Sequence, residues 1–384
     1  MENEIYLDNS ATTKLDERVL EAMKPYFSEH YGNPSSTHDK GQASREALEE
    51  ARETIAEKIK AKTEEIIFTS GGTESNNLAL KGLFFHAQIS SNTKPHIITT
   101  KIEHDSILEI CKWLETQGAE VTYLEVDREG FIDKKQLKES IKENTLAVSI
   151  IHGNNEIGTI QDLEEIGQTC KENNLIFHTD ACQTFTKTEL SVKKFNLDLV
   201  TLNAHKIHGP KGIGALYIKN SVKTKITPLQ HGGGHENGLR SGTENTPLAV
   251  GFAKAVEISN KKEVEKIQNL RDKLIEELLK IENTKINGSK KNRLPNNINI
   301  SFEGVEGEAL ETYLNQEKIY VSTGSACQSQ TDKESHVLKA MGLNKNQIES
   351  SLRISLSKYT TEGEIEKTAE KIKEIVGKLR STGL

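Results

Sequence analysis

A lysine at the end of an apolar strand, flanked by two histidines and a Gly-Pro turn, is the strongest chemical signal in this chain. It lies in Asn203-Ala204-His205-Lys206-Ile207-His208-Gly209-Pro210-Lys211-Gly212. An arbitrary lysine belongs on a solvated surface turn. A strand end instead desolvates the amine in part, lowers its pKa and lets the neutral form attack an aldehyde. Upstream, His178-Thr179-Asp180-Ala181-Cys182-Gln183 sets Asp180 at the end of another strand. Taken alone, Asp180 reads as a helix cap. With Lys206 downstream, it reads as the carboxylate that keeps a ring nitrogen protonated, so that the ring accepts electrons. Gln183 could then reach a ring oxygen. Ser70-Gly71-Gly72-Thr73-Glu74 sits between a strand and a helix. Its backbone N–H groups and the Thr73 hydroxyl suit a phosphate. Such turns are common, and no Gly-Lys-Ser/Thr follows as a nucleotide-binding loop would need.

The elements that must position these groups alternate. Strand patterns at 65–69, 96–100, 120–125, 146–151, 175–179, 199–202 and 214–218 are interleaved with helical stretches at 75–86, 106–117 and 163–172. That alternation predicts an α/β fold with a mainly parallel sheet, and ligands beyond the carboxyl ends of its strands. The last third changes character. A charged amphipathic helix at 260–281 leads to strands at 297–302 and 319–322, a helix at 308–316 and a final helix at 362–380. We expect a large unit over 15–258 and a smaller α/β unit from 1–14 and 259–384, carrying a polar loop at about 323–336.

Composition narrows the class. Apolar residues are 34% and charged residues 28%, a globular balance. The net charge of -7, with no dense basic block, argues against nucleic acid as a partner. No apolar run approaches a membrane span, and the acidic start Met-Glu-Asn-Glu is unlike a leader, so a cytoplasmic enzyme is expected. The cysteines are Cys111, Cys170, Cys182 and Cys327, with no C-x-x-C pair, so no metal site is expected. Cys327 alone follows a small-residue turn and opens a polar stretch, where a thiol meets solvent and reagents.

These motifs, in this order, resemble the class V aminotransferase family, and most closely its cysteine desulfurases of the NifS/IscS type. The resemblance extends over Tyr6-Leu7-Asp8-Asn9-Ser10-Ala11-Thr12-Thr13, Gly32-Asn33-Pro34-Ser35-Ser36, Glu103-His104 and Asn154-Asn155-Glu156-Ile157-Gly158. It continues through His231-Gly232-Gly233-Gly234, Leu239-Arg240-Ser241-Gly242-Thr243, Gly324-Ser325-Ala326-Cys327 and Leu352-Arg353-Ile354-Ser355-Leu356. It implies fold type I and pyridoxal 5'-phosphate, carried covalently on Lys206. It further implies His104 on the ring face and phosphate contacts from Gly72, Thr73, Asn203 and His205. Thr243 would reach the phosphate of a neighbouring subunit, which implies a homodimer. Asn155 would contact both cofactor and substrate, and with Arg353 and Asn33 it would hold the carboxylate of L-cysteine. Cys327 would take the sulfur as a persulfide and pass it to an acceptor such as an iron–sulfur scaffold. An aminotransferase of the same fold does not need Cys327. The chain departs from the family pattern at Asn203, where Ser or Thr is usual, at Asn237, at Gly153 and at Ser357.

Overall fold

The computed structural model describes residues 4–90, 94–323 and 334–382. Its strands are β1 (Ile5–Tyr6), β2 (Ile66–Thr69), β3 (His96–Thr100), β4 (Glu120–Leu124), β5 (Thr145–Ser149) and β6 (Ile176–Asp180). They continue with β7 (Leu199–Asn203), β8 (Gly214–Ile218), β9 (Thr284–Ile286), β10 (Asn297–Phe302), β11 (Ile319–Tyr320) and β12 (Ser351–Ser355). A seven-stranded sheet runs β2-β8-β7-β6-β5-β3-β4. Within it only β8 is antiparallel to its neighbours. The sheet is therefore mainly parallel, as the alternation predicts.

Strands β2, β3, β6, β7 and β8 are buried along their whole length. That explains their runs of apolar residues rather than an in-out alternation. Helices cover both faces. Asp39–Lys58 packs against Thr246–Glu257, and Gly72–Ser90 packs against Asp105–Thr116. The first pair was not singled out by the sequence pattern.

A second core gathers Ile5 and Leu7 with Leu274, Leu310, Ile354 and Ile372. It is built on the three-stranded sheet β12-β10-β9 and the pair β1-β11. The amphipathic helix Lys261–Leu278 leads into it, capped by the Asn260 side chain, which accepts from the Glu263 N–H. The register of β10 on β12 sets Asn299 opposite Arg353.

Candidate active site

Parallel strands send their carboxyl ends to one edge of the sheet, and the candidate residues follow those ends. β2 leads to Gly72 and Thr73, β3 to His104, and β5 to Asn155. β6 ends on Asp180 itself, and β7 ends on Asn203, just before His205 and Lys206. Residues far apart in sequence thus meet because neighbouring strands lie about 4.8 Å apart. Lys206 is buried, and its positive charge is felt by His104, His205, Cys182 and Lys187.

Asp180 is the centre of the arrangement. Its Oδ2 accepts from Asn76 Nδ2 at 2.9 Å and its Oδ1 from the Cys182 N–H at 2.9 Å. Burial would raise its pKa, but the Asn76 bond and the nearby His104 hold it below the ordinary carboxylate value. Among the described residues no cationic side chain forms an ion pair with it.

The network runs on to His104. Asn76 Nδ2 also donates to Ser106 Oγ at 2.9 Å, and Ser106 Oγ lies 2.8 Å from His104 Nδ1. The Ser106 backbone N–H donates to the same Nδ1 at 3.0 Å, because His104 caps the helix Asp105–Thr116. Nδ1 is therefore an acceptor, and the ring proton sits on Nε2. Burial and the charge of Lys206 push the His104 pKa down. Burial first, then the lysines around it, push His205 down to about 4. Its ring touches Asn203 Nδ2 at 3.3 Å and Thr12 Oγ1 at 3.2 Å.

The Aminotransferase class-V family model matches residues 5–368. The chain belongs to that family. Cysteine desulfurase IscS of Dictyoglomus turgidum is 49% identical over 385 residues, covering 99% of this chain and 96% of that protein. Cysteine desulfurase IscS of Methanosarcina thermophila is 48% identical over 381 residues, covering 98% and 93%. The structure of a NifS-like protein superposes with a TM-score of 0.90 at 40% identity, covering 98% of this chain and all of that one (100%). A structure described as SspA in complex with cysteine gives 0.84 at 39% identity, covering 94% and 100%. Within the class V family, the two IscS proteins are named cysteine desulfurases, the type that the motifs resemble.

A family of this kind implies pyridoxal phosphate, and the residues present fit it. Asp180 is a buried carboxylate with no ion-paired cation among the described residues, as a pyridinium partner requires. The Gln183 amide gives one N–H to the Ser10 carbonyl at 2.9 Å, while its oxygen is buried without a partner among the described residues. The Asn203 oxygen is likewise unpaired. Gly72 opens the helix Gly72–Ser90, and a Cβ there would meet Cys182 Sγ at 2.8 Å. Backbone can therefore approach a phosphate closely at that turn.

Other candidates lie elsewhere. Arg353 is buried on β12, ion-paired to Asp8 at 2.8 Å, and its Nε has no acceptor among the described residues. Asn155 is half-buried in the turn after β5, where Gly158 at φ 74 closes the bend. Asn33 is exposed, and its Oδ1 accepts from the Ser35 N–H at 2.9 Å. Among the described residues no hydrogen bond joins it to Lys206 or Arg353. Thr243 is also exposed. Its segment is held by a buried pair, Arg52 with Glu236 at 2.7 and 2.8 Å, and by Arg240 with Glu74 at 2.8 Å. Cys327 lies outside the described residues. Sequence reasoning missed Asn76, Ser106 and Lys187. Burial and the charge of Lys206 push Lys187 down to about 7. Nothing in the sequence marks these three, since none stands in a motif and each matters through the groups it meets in the fold.

Proposed function

We propose that this chain is a pyridoxal-phosphate-dependent cysteine desulfurase, converting L-cysteine to L-alanine and taking the sulfur on Cys327. The observation that carries the reading is Asp180, a buried carboxylate held below its ordinary pKa with no ion-paired cation among the described residues, on the strand beside the one that leads to Lys206. Lys206 would hold the cofactor covalently, Asp180 its ring nitrogen, His104 its face and Gln183 its ring oxygen. Gly72, Thr73, Asn203 and His205 would hold its phosphate, with Thr243 from a second copy. Bound there, the cofactor supplies an electron sink that weakens the bonds at the amino-acid Cα.

The chain's own residues do the rest. Arg353, with Asn155 and Asn33, binds and orients the substrate carboxylate, a task suited to a planar guanidinium. Lys206 Nζ takes the Cα proton. His104, with its proton on Nε2, would lie on the cofactor face and could take up or return a proton there as a general acid or base. The Cys327 thiolate attacks the substrate sulfur. An S–S bond forms, the substrate C–S bond breaks with its electron pair left on carbon, and protonation of that carbon gives L-alanine. Burial raises the thiols of Cys111, Cys170 and Cys182, which leaves them protonated and poor nucleophiles. The persulfide then passes to an acceptor, such as an iron–sulfur scaffold protein, in the cytoplasm. The division into a large unit (15–258) and a small unit (1–14 with 259–384) belongs to the same proposal. No described helix is long and apolar enough to cross a membrane.

The test is alanine and sulfide release from L-cysteine. Wild type is expected to release both in the presence of a thiol reductant. Cys327→Ala is expected to keep its visible absorbance and release little sulfide. Equal sulfide release by the two would overturn the assignment.

A further inference from the structure

The N-terminal segment 8–13 reaches both ends of the site. On one side it is fastened to β12. Ser355 donates its N–H to Leu7 O at 2.6 Å, Asn9 Nδ2 donates to Ser355 O at 2.7 Å, and the Ser10 N–H donates to Ser355 Oγ at 2.8 Å. Ser355 is two residues from Arg353, so both side chains leave the same face of the strand. On the other side, Ser10 O accepts from Gln183, Thr12 Oγ1 contacts His205, and Thr13 Oγ1 donates to His205 O at 2.8 Å.

Asp8 stands at the start of this strap. Its Oδ1 takes one terminal nitrogen of Arg353 at 2.8 Å, and this is the only ion pair Arg353 makes among the described residues. The guanidinium is nearly closed off from solvent, at 3% side-chain exposure, yet its Nε–H has no acceptor among the described residues. A buried donor left open is costly unless something arrives to fill it. The pair therefore holds the fork by one nitrogen and leaves another without an acceptor among the described residues.

We propose that Asp8 is a positioning residue for the substrate: it fixes the Arg353 guanidinium so that an open N–H meets the amino-acid carboxylate. This rests on the reading of Arg353 as the carboxylate's partner. Asp8 does not touch substrate. Its negative charge opposes an incoming carboxylate, but orientation of a long, flexible side chain outweighs that repulsion. Without Asp8, binding must order the guanidinium itself.

The test is steady-state kinetics with L-cysteine on Asp8→Ala, Asp8→Asn, Arg353→Lys and the Asp8→Ala/Arg353→Lys double variant. Asp8→Ala is expected to raise KM about tenfold with kcat little changed, the size of one charge-assisted hydrogen bond. Asp8→Asn keeps an oxygen in place and is expected to stay within about threefold. In the Arg353→Lys background, Asp8→Ala is expected to add nothing, because the two act as a unit. An unchanged or lowered KM in Asp8→Ala, beside a raised KM in Arg353→Lys, overturns the role of Asp8 alone. An unchanged KM in Arg353→Lys overturns the underlying reading of Arg353. A parallel collapse of kcat in both Asp8 variants would mark a general structural fault and overturn the assignment.

Discussion

Asp180 keeps its charge in a place that opposes charge. Burial works against the carboxylate, while Asn76, His104 and the Cys182 N–H work for it. Asp180→Asn retains the shape and loses the charge. It is expected to fold, to bind cofactor and to lose about a hundredfold or more in kcat, as when one preorganised electrostatic contact is removed. Turnover within threefold of wild type would mean that the charge is not used. At this scale the sequence was readable where one residue carries its own context. Lys206 and Asp180 each stand at the end of an apolar run, so strand and loop are visible in the letters. Asp8 and Arg353 stand 345 positions apart, and no local pattern joins them. Asn76 and Ser106 look like ordinary polar residues of helices until the chain from Asp180 to His104 is traced.

The elements explain why these residues converge. Each parallel strand delivers its successor loop to one edge of the sheet, so the order of strands dictates the order of groups. The sequence pattern started the helix after β2 at Ser75, leaving Gly72 and Thr73 in a loop. The structure starts it at Gly72. Glu74 Oε2 accepts from the Ser70 N–H at 2.7 Å, and Arg240 ties down the same carboxylate, so the first turn forms earlier than propensity suggests. The position of Gly72 has a checkable consequence. Gly72→Ala drives a Cβ against Cys182 Sγ and is expected to weaken retention of the cofactor about tenfold. Cys182→Ala in the same chain is expected to restore most of it. Equilibrium dialysis against free pyridoxal phosphate reads both. No rescue by Cys182→Ala would show that the close approach is not what requires glycine.

At the scale of the whole molecule, the strap at 8–13 ties the small core to the site, and buried histidines lie within the large sheet. His178 bridges Ser149 on β5, at 2.8 Å, and Thr201 on β7, at 3.1 Å. Burial pushes His152 down to about 3 and His178 to about 4. The unfolded chain binds those protons near pH 6.5 while the folded one refuses them. Their contribution is full above about pH 6.5 and is lost as pH falls toward 4, by about 1.4 kcal/mol per pH unit for each. His205 and His208, both held near 4, act in the same direction. Glu103, raised by burial to about 8, acts oppositely, gaining stability as pH falls from about 8. The histidines outnumber it, so the urea midpoint is expected to drop between pH 7 and pH 5. A flat midpoint over that range would contradict the account. The exposed Thr243, on a segment anchored from within, is proposed to serve a second copy, and sedimentation is expected to show a dimer. A fully active monomer at assay concentration would rule out shared sites.

The central claim is that Cys327 carries the sulfur, and it is tested most directly by mass spectrometry of the protein after brief exposure to L-cysteine. One added sulfur on the peptide containing Cys327 is the expected result, abolished in Cys327→Ser while that variant keeps its bound cofactor. An added sulfur found reproducibly on Cys182, with Cys327 unmodified, would contradict it.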